Sequence, residues 1–156
     1  MFNLIKNELN KIDIEKEIMN SNVEYNLIAF DKEFLEQNDI LKEHKEAEEL
    51  VVERYLVKKG DEYIGILDYG MSSPRLQKPW LSLLVIHKKY QGLGYAKKLY
   101  MTYEKLMRDK KVKCIQIAVH STNEKALNFW TSLGFIKFNE RTYEGKVFFS
   151  FEKELS

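Results

Sequence analysis

The chain has 156 residues, 44% hydrophobic and 31% charged, with a net charge of +1. That balance fits one globular domain with its own core over residues 1–156, and it offers no global field to attract nucleic acid or a membrane surface, so neither is expected as a partner. The single cysteine, Cys114, excludes a disulfide or a cysteine metal site within the chain; it reads as a small core residue, and no metal is expected. No apolar run approaches the ~20 residues of a membrane helix, and Met1–Glu8 lacks a secretory leader's apolar stretch, so a cytoplasmic location is expected.

Phe2–Lys6 reads as a first strand. Asn10–Asn20 carries Ile12, Ile14, Ile18 and Met19 among charges and reads as an amphipathic helix, with Asp13 as its cap and Asn20-Ser21-Asn22 as its breaker. Val23–Phe30 suits a strand or a helical turn equally. Asp31–Leu50 reads as two short helices, the second capped by Asn38. Its acidic run, Glu43 to Glu49, reads as a solvated helix face, with His44 exposed upon it.

Glu49–Lys58 and Glu62–Met71 suit an antiparallel hairpin turned at Lys59-Gly60-Asp61. Gly65 within the second strand suggests a bulge or a close backbone approach. Pro74 and Pro79 mark Ser72–Pro79 as a loop. Trp80–Ile86 is nearly all apolar, as a central strand covered on both faces should be. From Gly92 to Asp109 the residues Ala96, Leu99, Tyr100, Tyr103, Leu106 and Met107 form one helical stripe. Lys113–Val119 is the next strand, and a strand, helix and strand in this order imply a right-handed crossover and a parallel pair. Ser121-Thr122-Asn123-Glu124 fits a capping box ahead of a helix that ends at Gly134. Phe135–Tyr143 and Lys146–Lys153 form a last hairpin around Glu144-Gly145.

The organising stretch is Leu83–Ala96, a strand followed by a polar bridge with His87, then Gln91-Gly92-Leu93-Gly94, then a helix start. Glycines there allow a tight turn and close approach of a ligand to the amides. The first N–H groups of a helix lack intrahelical partners and lie at the positive end of its dipole, which favours a phosphate or pyrophosphate. It is not a P-loop, because Tyr95-Ala96 follows Gly94 where Lys-Ser/Thr is needed. Nor is it a dinucleotide fingerprint: Lys97 stands where a third small residue belongs, and the next strand ends Ala118-Val119-His120 without an acid.

Gln91-x-x-Gly94-x-Ala96 after an apolar strand resembles the pyrophosphate loop of the GNAT family of acyl-CoA N-acyltransferases, Arg/Gln-x-x-Gly-x-Gly/Ala. Asn123-Glu124-Lys125-Ala126 followed by Trp130-Thr131-Ser132-Leu133-Gly134-Phe135 is similar to that family's later Asn-x-x-Ala…Tyr-x-x-Leu-Gly-Phe element. The likeness covers about residues 80–153. It implies an α/β GNAT fold: a mixed, mostly antiparallel sheet of about seven strands with a splayed central parallel pair and helices on both faces.

The resemblance also implies acetyl-CoA as co-substrate and a small-molecule or peptide amine as acceptor, and it allows a homodimer. Backbone groups of Leu84, Val85 and Ile86 would hold the pantetheine. Gln91, Gly92, Leu93, Gly94, Tyr95 and Ala96 would surround the pyrophosphate. Asn123 would reach the pantetheine arm, and Phe129 and Trp130 would flank it. The amine would attack the thioester directly, helped by orientation and by oxyanion stabilisation. Three departures stand out. Lys88 replaces the family's bridge proline; Gln91 opens the loop without a cation, which Lys88, Lys89, Lys97 and Lys98 are near enough in sequence to offset; and Trp130 occupies the place of the Tyr that often protonates the thiolate. For the base, Trp80–Ile86 offers only Ser82, so Asp68 and His120 are the catalytic candidates, with Tyr25 a further one. The contrasting reading is a GNAT-fold module that binds acyl-CoA without turnover.

Overall fold

A computed structural model describes all residues, Met1–Ser156. Strands β1 (Asn3–Lys6), β2 (Glu53–Lys59), β3 (Glu62–Gly70), β4 (Trp80–Ile86), β5 (Cys114–His120), β6 (Ile136–Tyr143) and β7 (Lys146–Glu154) form one seven-stranded sheet in the order β1-β2-β3-β4-β5-β7-β6. Every neighbouring pair is antiparallel except β4 and β5. Helices α1 (Ile12–Asn20), α2 (Val23–Phe30) and α3 (Gln37–Glu49) precede β2, α4 (Tyr95–Asp109) joins β4 to β5, and α5 (Glu124–Ser132) follows β5.

The sheet separates two cores. On one face Leu99, Tyr100, Tyr103 and Met107 of α4 pack with Trp130 of α5 against Leu67, Leu81 and Ile117. On the other, Ile18 and Met19 of α1 and Ile40 of α3 cover Leu56, Ile66 and Val85. The apolar stripe expected on α4 is the buried face of that helix, as its period requires.

Several expected boundaries shift for local reasons. Residues 37–49 form one helix, and the cap is a reciprocal box in which Glu36 and Asp39 bond each other's backbone amides, so Asn38 caps nothing. Asp13 lies in the first turn of α1, whose N-cap is Lys11. Asn123, and not Ser121, caps α5, its Oδ1 accepting from Ala126 N–H at 3.1 Å. Gly134 has a φ of +94°, the left-handed stop expected of it. Cys114 is half-buried beside Glu152 instead of fully in the core.

Two irregularities position the site. At Gly65 a Cβ would stand 2.5 Å from the Val85 carbonyl oxygen, so only glycine lets β3 and β4 approach there. Further along, Asp68 pairs with Leu83 while Tyr69 pairs with Leu81. Ser82 is therefore an extra residue in β4, and this bulge turns the strand at the middle of the sheet.

Candidate active site

The parallel pair is barely a pair. Trp80 with Gln116 is the only register match between β4 and β5, held by Gln116 N–H to the Pro79 carbonyl at 3.0 Å. Towards the C-terminal ends of both strands the sheet opens. His87 N–H donates to the Ile64 carbonyl at 2.8 Å. By the alternation of an antiparallel ladder, Val85 also turns its polar groups to β3, and Leu84 and Ile86 turn theirs into the gap. Val85, expected among the pantetheine holders, is thus engaged with Ile66. The Ile86 carbonyl accepts from Gln91 Nε2 at 2.8 Å and Asn22 Nδ2 at 3.2 Å. What remains free in the gap is the N–H of Ile86 and both backbone groups of Leu84.

The loop beyond β4 is open to solvent. Gly92 and Gly94 have φ values of +80° and +81°, and a Cβ on either would meet nothing within 4 Å. Leu93 is exposed, while Tyr95 and Ala96 are half-buried. Gly94 is the N-cap of α4 without a side-chain cap, and the first bond of the helix runs from Lys98 N–H to the Gly94 carbonyl at 3.2 Å. The N–H groups before Lys98 therefore point outward with nothing to satisfy them but solvent or an anion.

Gln91 fixes this loop. Its Nε2 also donates to Asn22 Oδ1 at 2.7 Å, and its Oε1 accepts from Lys125 Nζ at 3.3 Å. Ser21 Oγ accepts from Lys88 N–H at 3.0 Å. The segment that reads in sequence as a mere helix breaker is thus the clamp between α1 and the glycine loop. His87 of the polar bridge is partly buried, and its Nδ1 accepts from Lys89 N–H at 3.0 Å. Lys125 was not foreseen; it brings a cation to the loop whose opening residue lacks one.

Asn123 is occupied in capping α5. Phe129 lies half-buried with its ring 4.9 Å from that of Trp130. Trp130 is buried among Tyr100, Phe129 and Phe135, edge-on to each. Its surroundings are those of a core aromatic, and an indole has no dissociable proton to give near neutral pH.

The candidate bases part company. Asp68 is buried on the α1–α3 face and accepts from Arg54 Nε at 2.9 Å. Arg54 Nη2 donates to Glu15 Oε2 at 2.7 Å, and Glu15 Oε1 is 2.9 Å from His44 Nε2. His44 is therefore part of a buried ionic chain instead of a solvated helix surface. Burial raises the Asp68 carboxyl to about 6 against the opposing pull of the Arg54 charge. Burial also acts on Glu15, but hydrogen bonds from His44, Arg54 and Asn7 outweigh it and hold that carboxyl below its usual value. Asp68 lines a chamber of about 100 Å³ shared with Glu15, Tyr25, Glu43, Arg54 and Ser82. Tyr25 is half-buried, and burial, with the charges of Glu43 and Asp68, pushes its phenol well up. His120 is not in that chamber. It ends β5 at the mouth of the gap, its ring 4.3 Å from that of Phe148. Burial and the Lys146 charge keep it below the ordinary histidine value.

Residues 15–135 match the model of the acetyltransferase (GNAT) family, and the chain belongs to that family. It is an acetyltransferase by class. The matched span begins at α1, well before the stretch in which the sequence alone carries the likeness. The fold is similar to that of an acetyltransferase from Thermus thermophilus, at 20% identity and a TM-score of 0.81, covering 99% of this chain and 97% of the other. It is also similar to a spermidine N-acetyltransferase from Vibrio cholerae in complex with CoA and spermine, at 14% identity and 0.73, covering 98% and 95%. A third is the PaiA N-acetyltransferase from Thermoplasma acidophilum in complex with coenzyme A, at 16% and 0.70, covering 99% of both chains. No curated protein matches in sequence.

Proposed function

We propose that the protein transfers an acetyl group from acetyl-CoA to a primary amine by direct attack within a ternary complex. The observation that carries this reading is the open seam between β4 and β5 leading to unpartnered amides at the start of α4. The fit to CoA is chemical. A diphosphate needs clustered N–H donors and cationic neighbours, which residues 92–97 and Lys125 supply. A pantetheine amide needs strand-like partners, which Leu84 and Ile86 supply. Two of the matched structures hold CoA.

Acetyl-CoA, once bound, supplies the electrophilic thioester. The chain's own residues then orient it, with the bulge at Ser82 re-aiming the middle of β4 where a developing oxyanion would need a donor. Asp68 and His120 are the candidates the sequence offers for accepting the amine proton, one on the α1–α3 face and one at the mouth of the gap. Trp130 gives no proton to the leaving sulfur. A thiol ionises at about 8.5, so its thiolate departs without strong acid help.

The test is thiol release from acetyl-CoA across a panel of primary amines. Amine-dependent release is expected. Tight acetyl-CoA binding with no release for any amine would contradict the reading and favour a binding module.

A further inference from the structure

The chamber on the α1–α3 face holds more negative charge than its own cations answer. Glu15, Glu43 and Asp68 face it, against Arg54. Even with His44 protonated behind Glu15, three carboxylates oppose two cations. Asp68 Oδ1 is buried and accepts no hydrogen bond. Glu43, half-buried, has neither a hydrogen bond nor an ion pair. A buried carboxylate oxygen without a partner destabilises a fold, so the Asp68 Oδ1, facing one chamber with the unpaired, half-buried Glu43, makes an arrangement suited to a cation that arrives from outside.

The chamber also adjoins the chemistry. Its wall includes Ser82 and Leu83, the bulged residue of β4 and its neighbour, one residue from the backbone groups of Leu84 that face the gap. Its remaining walls are apolar, from Met19, Phe30, Leu35 and Ile40. A cavity of ~150 Å³ takes benzene, so one of about 100 Å³ takes roughly four heavy atoms.

We infer that this chamber is the acceptor pocket, that it receives the ammonium head of a short, unbranched primary amine, and that Glu43 takes the proton which frees the nitrogen for attack. The inference rests on the acetyl-transfer reading above. The ammonium hydrogen-bonds Asp68 Oδ1 and gives one proton to the Glu43 carboxylate. The neutral nitrogen forms a C–N bond at the thioester carbonyl. The C–S bond then breaks with its electron pair on the CoA sulfur, and the second proton lost by nitrogen passes to that sulfur or to water. Glu43 suits this part because burial, with Glu46 adding to it, raises its acid to about 7. The groups around it are Glu15 of α1, Tyr25 of α2, His44 and Glu46 of α3, Arg54 of β2 and Asp68 of β3.

The experiment is calorimetric titration of the protein with n-propylammonium near pH 7, in two buffers of different ionisation enthalpy, with n-propanol as the uncharged comparison. Propylammonium should bind and propanol should not. A cation beside Glu43 favours its carboxylate, so binding should release a fraction of a proton. Glu43→Gln should weaken propylammonium about tenfold or more, a loss of about 1.4 kcal/mol, and abolish the proton release. Equal binding of propanol, no binding of propylammonium, or an unchanged affinity in Glu43→Gln would overturn the inference. Acetyl-CoA titrated separately into both proteins should bind equally. Failure of the wild type to bind acetyl-CoA would count against the proposed function, whereas the chamber is judged on the amine alone.

Discussion

Arg54 joins three elements at one point. Its guanidinium meets Asp68 of its own hairpin and Glu15 of α1, and Glu15 in turn holds His44 of α3 and Asn7 after β1. Arg54→Met would leave the buried Asp68 carboxylate without a cation and Glu15 with only His44 beside it. A loss of about 3–5 kcal/mol is expected from breaking such a pair, measured by urea unfolding. Glu43 makes the opposite kind of contribution. Its acid is raised from 4.5 to about 7, so the folded chain binds more protons than the unfolded one across that interval. Stability therefore falls as pH rises through that interval, and Glu43→Gln lacks this loss. The variant should match the wild type near pH 4.5 and exceed it by on the order of 1–2 kcal/mol at about pH 8. Thermal melts at the two pH values check this. Neither residue could be singled out from sequence. Arg54 sits in a strand whose alternation leaves its face ambiguous, and an acid-rich helix gives no clue to which acid turns inward. Asp68 was legible as a candidate only because the central strand lacks a carboxylate.

The glycine loop with α4 is the element whose job is plainest. Glycine positions, the helical stripe and the apolar strand before it are all local signals that survive in the structure, although the helix expected from Gly92 begins at Tyr95 because Gly92 and Gly94 take left-handed φ values. Gly94→Ala adds strain at a φ of +81° but leaves the amides accessible, since nothing lies within 4 Å. Gly94→Glu adds the same strain and a carboxylate at the anion site. Acetyl-CoA affinity is expected to fall modestly in the first and beyond detection in the second, with both circular dichroism spectra native. Equal affinities for Gly94→Glu and the wild type would remove the loop from the site. For α5 the expected contribution of Asn123 is structural: Asn123→Ala should cost about 1 kcal/mol of stability through the lost cap, and Asn123→Ser should restore most of it. The N-terminal helices were the least legible elements. Val23–Phe30 is apolar on most sides, so its period decides nothing, and α2 forms because Asn26 is buried with its amide bonded to the Met19 and Glu33 carbonyls, contacts that no local pattern reveals. Glu36 and Asp39 cap α3 as a pair of acids, a variant of the box that composition hides within a charged run.

Across the whole molecule, one discontinuity in the sheet serves the function. A sheet joined from β1 through β3 meets another formed by β5, β7 and β6, and β4 belongs fully to the first while touching the second only at Trp80. The order of strands and the parallel crossover could be read from the chain. The opening could be read only through the family resemblance and not from local pattern, because it depends on where β5 fails to pair, a non-local outcome of the Ser82 bulge and of the clamp that Asn22 and Gln91 place on the Ile86 carbonyl. Amide hydrogen exchange reads this seam directly. In the free protein the N–H groups of Leu84, Ile86 and residues 92–97 should exchange quickly while Val85 is protected, and saturating acetyl-CoA should slow all of the fast ones. Protection of Leu84 and Ile86 before any ligand is added, or no change when acetyl-CoA is present, would contradict the account.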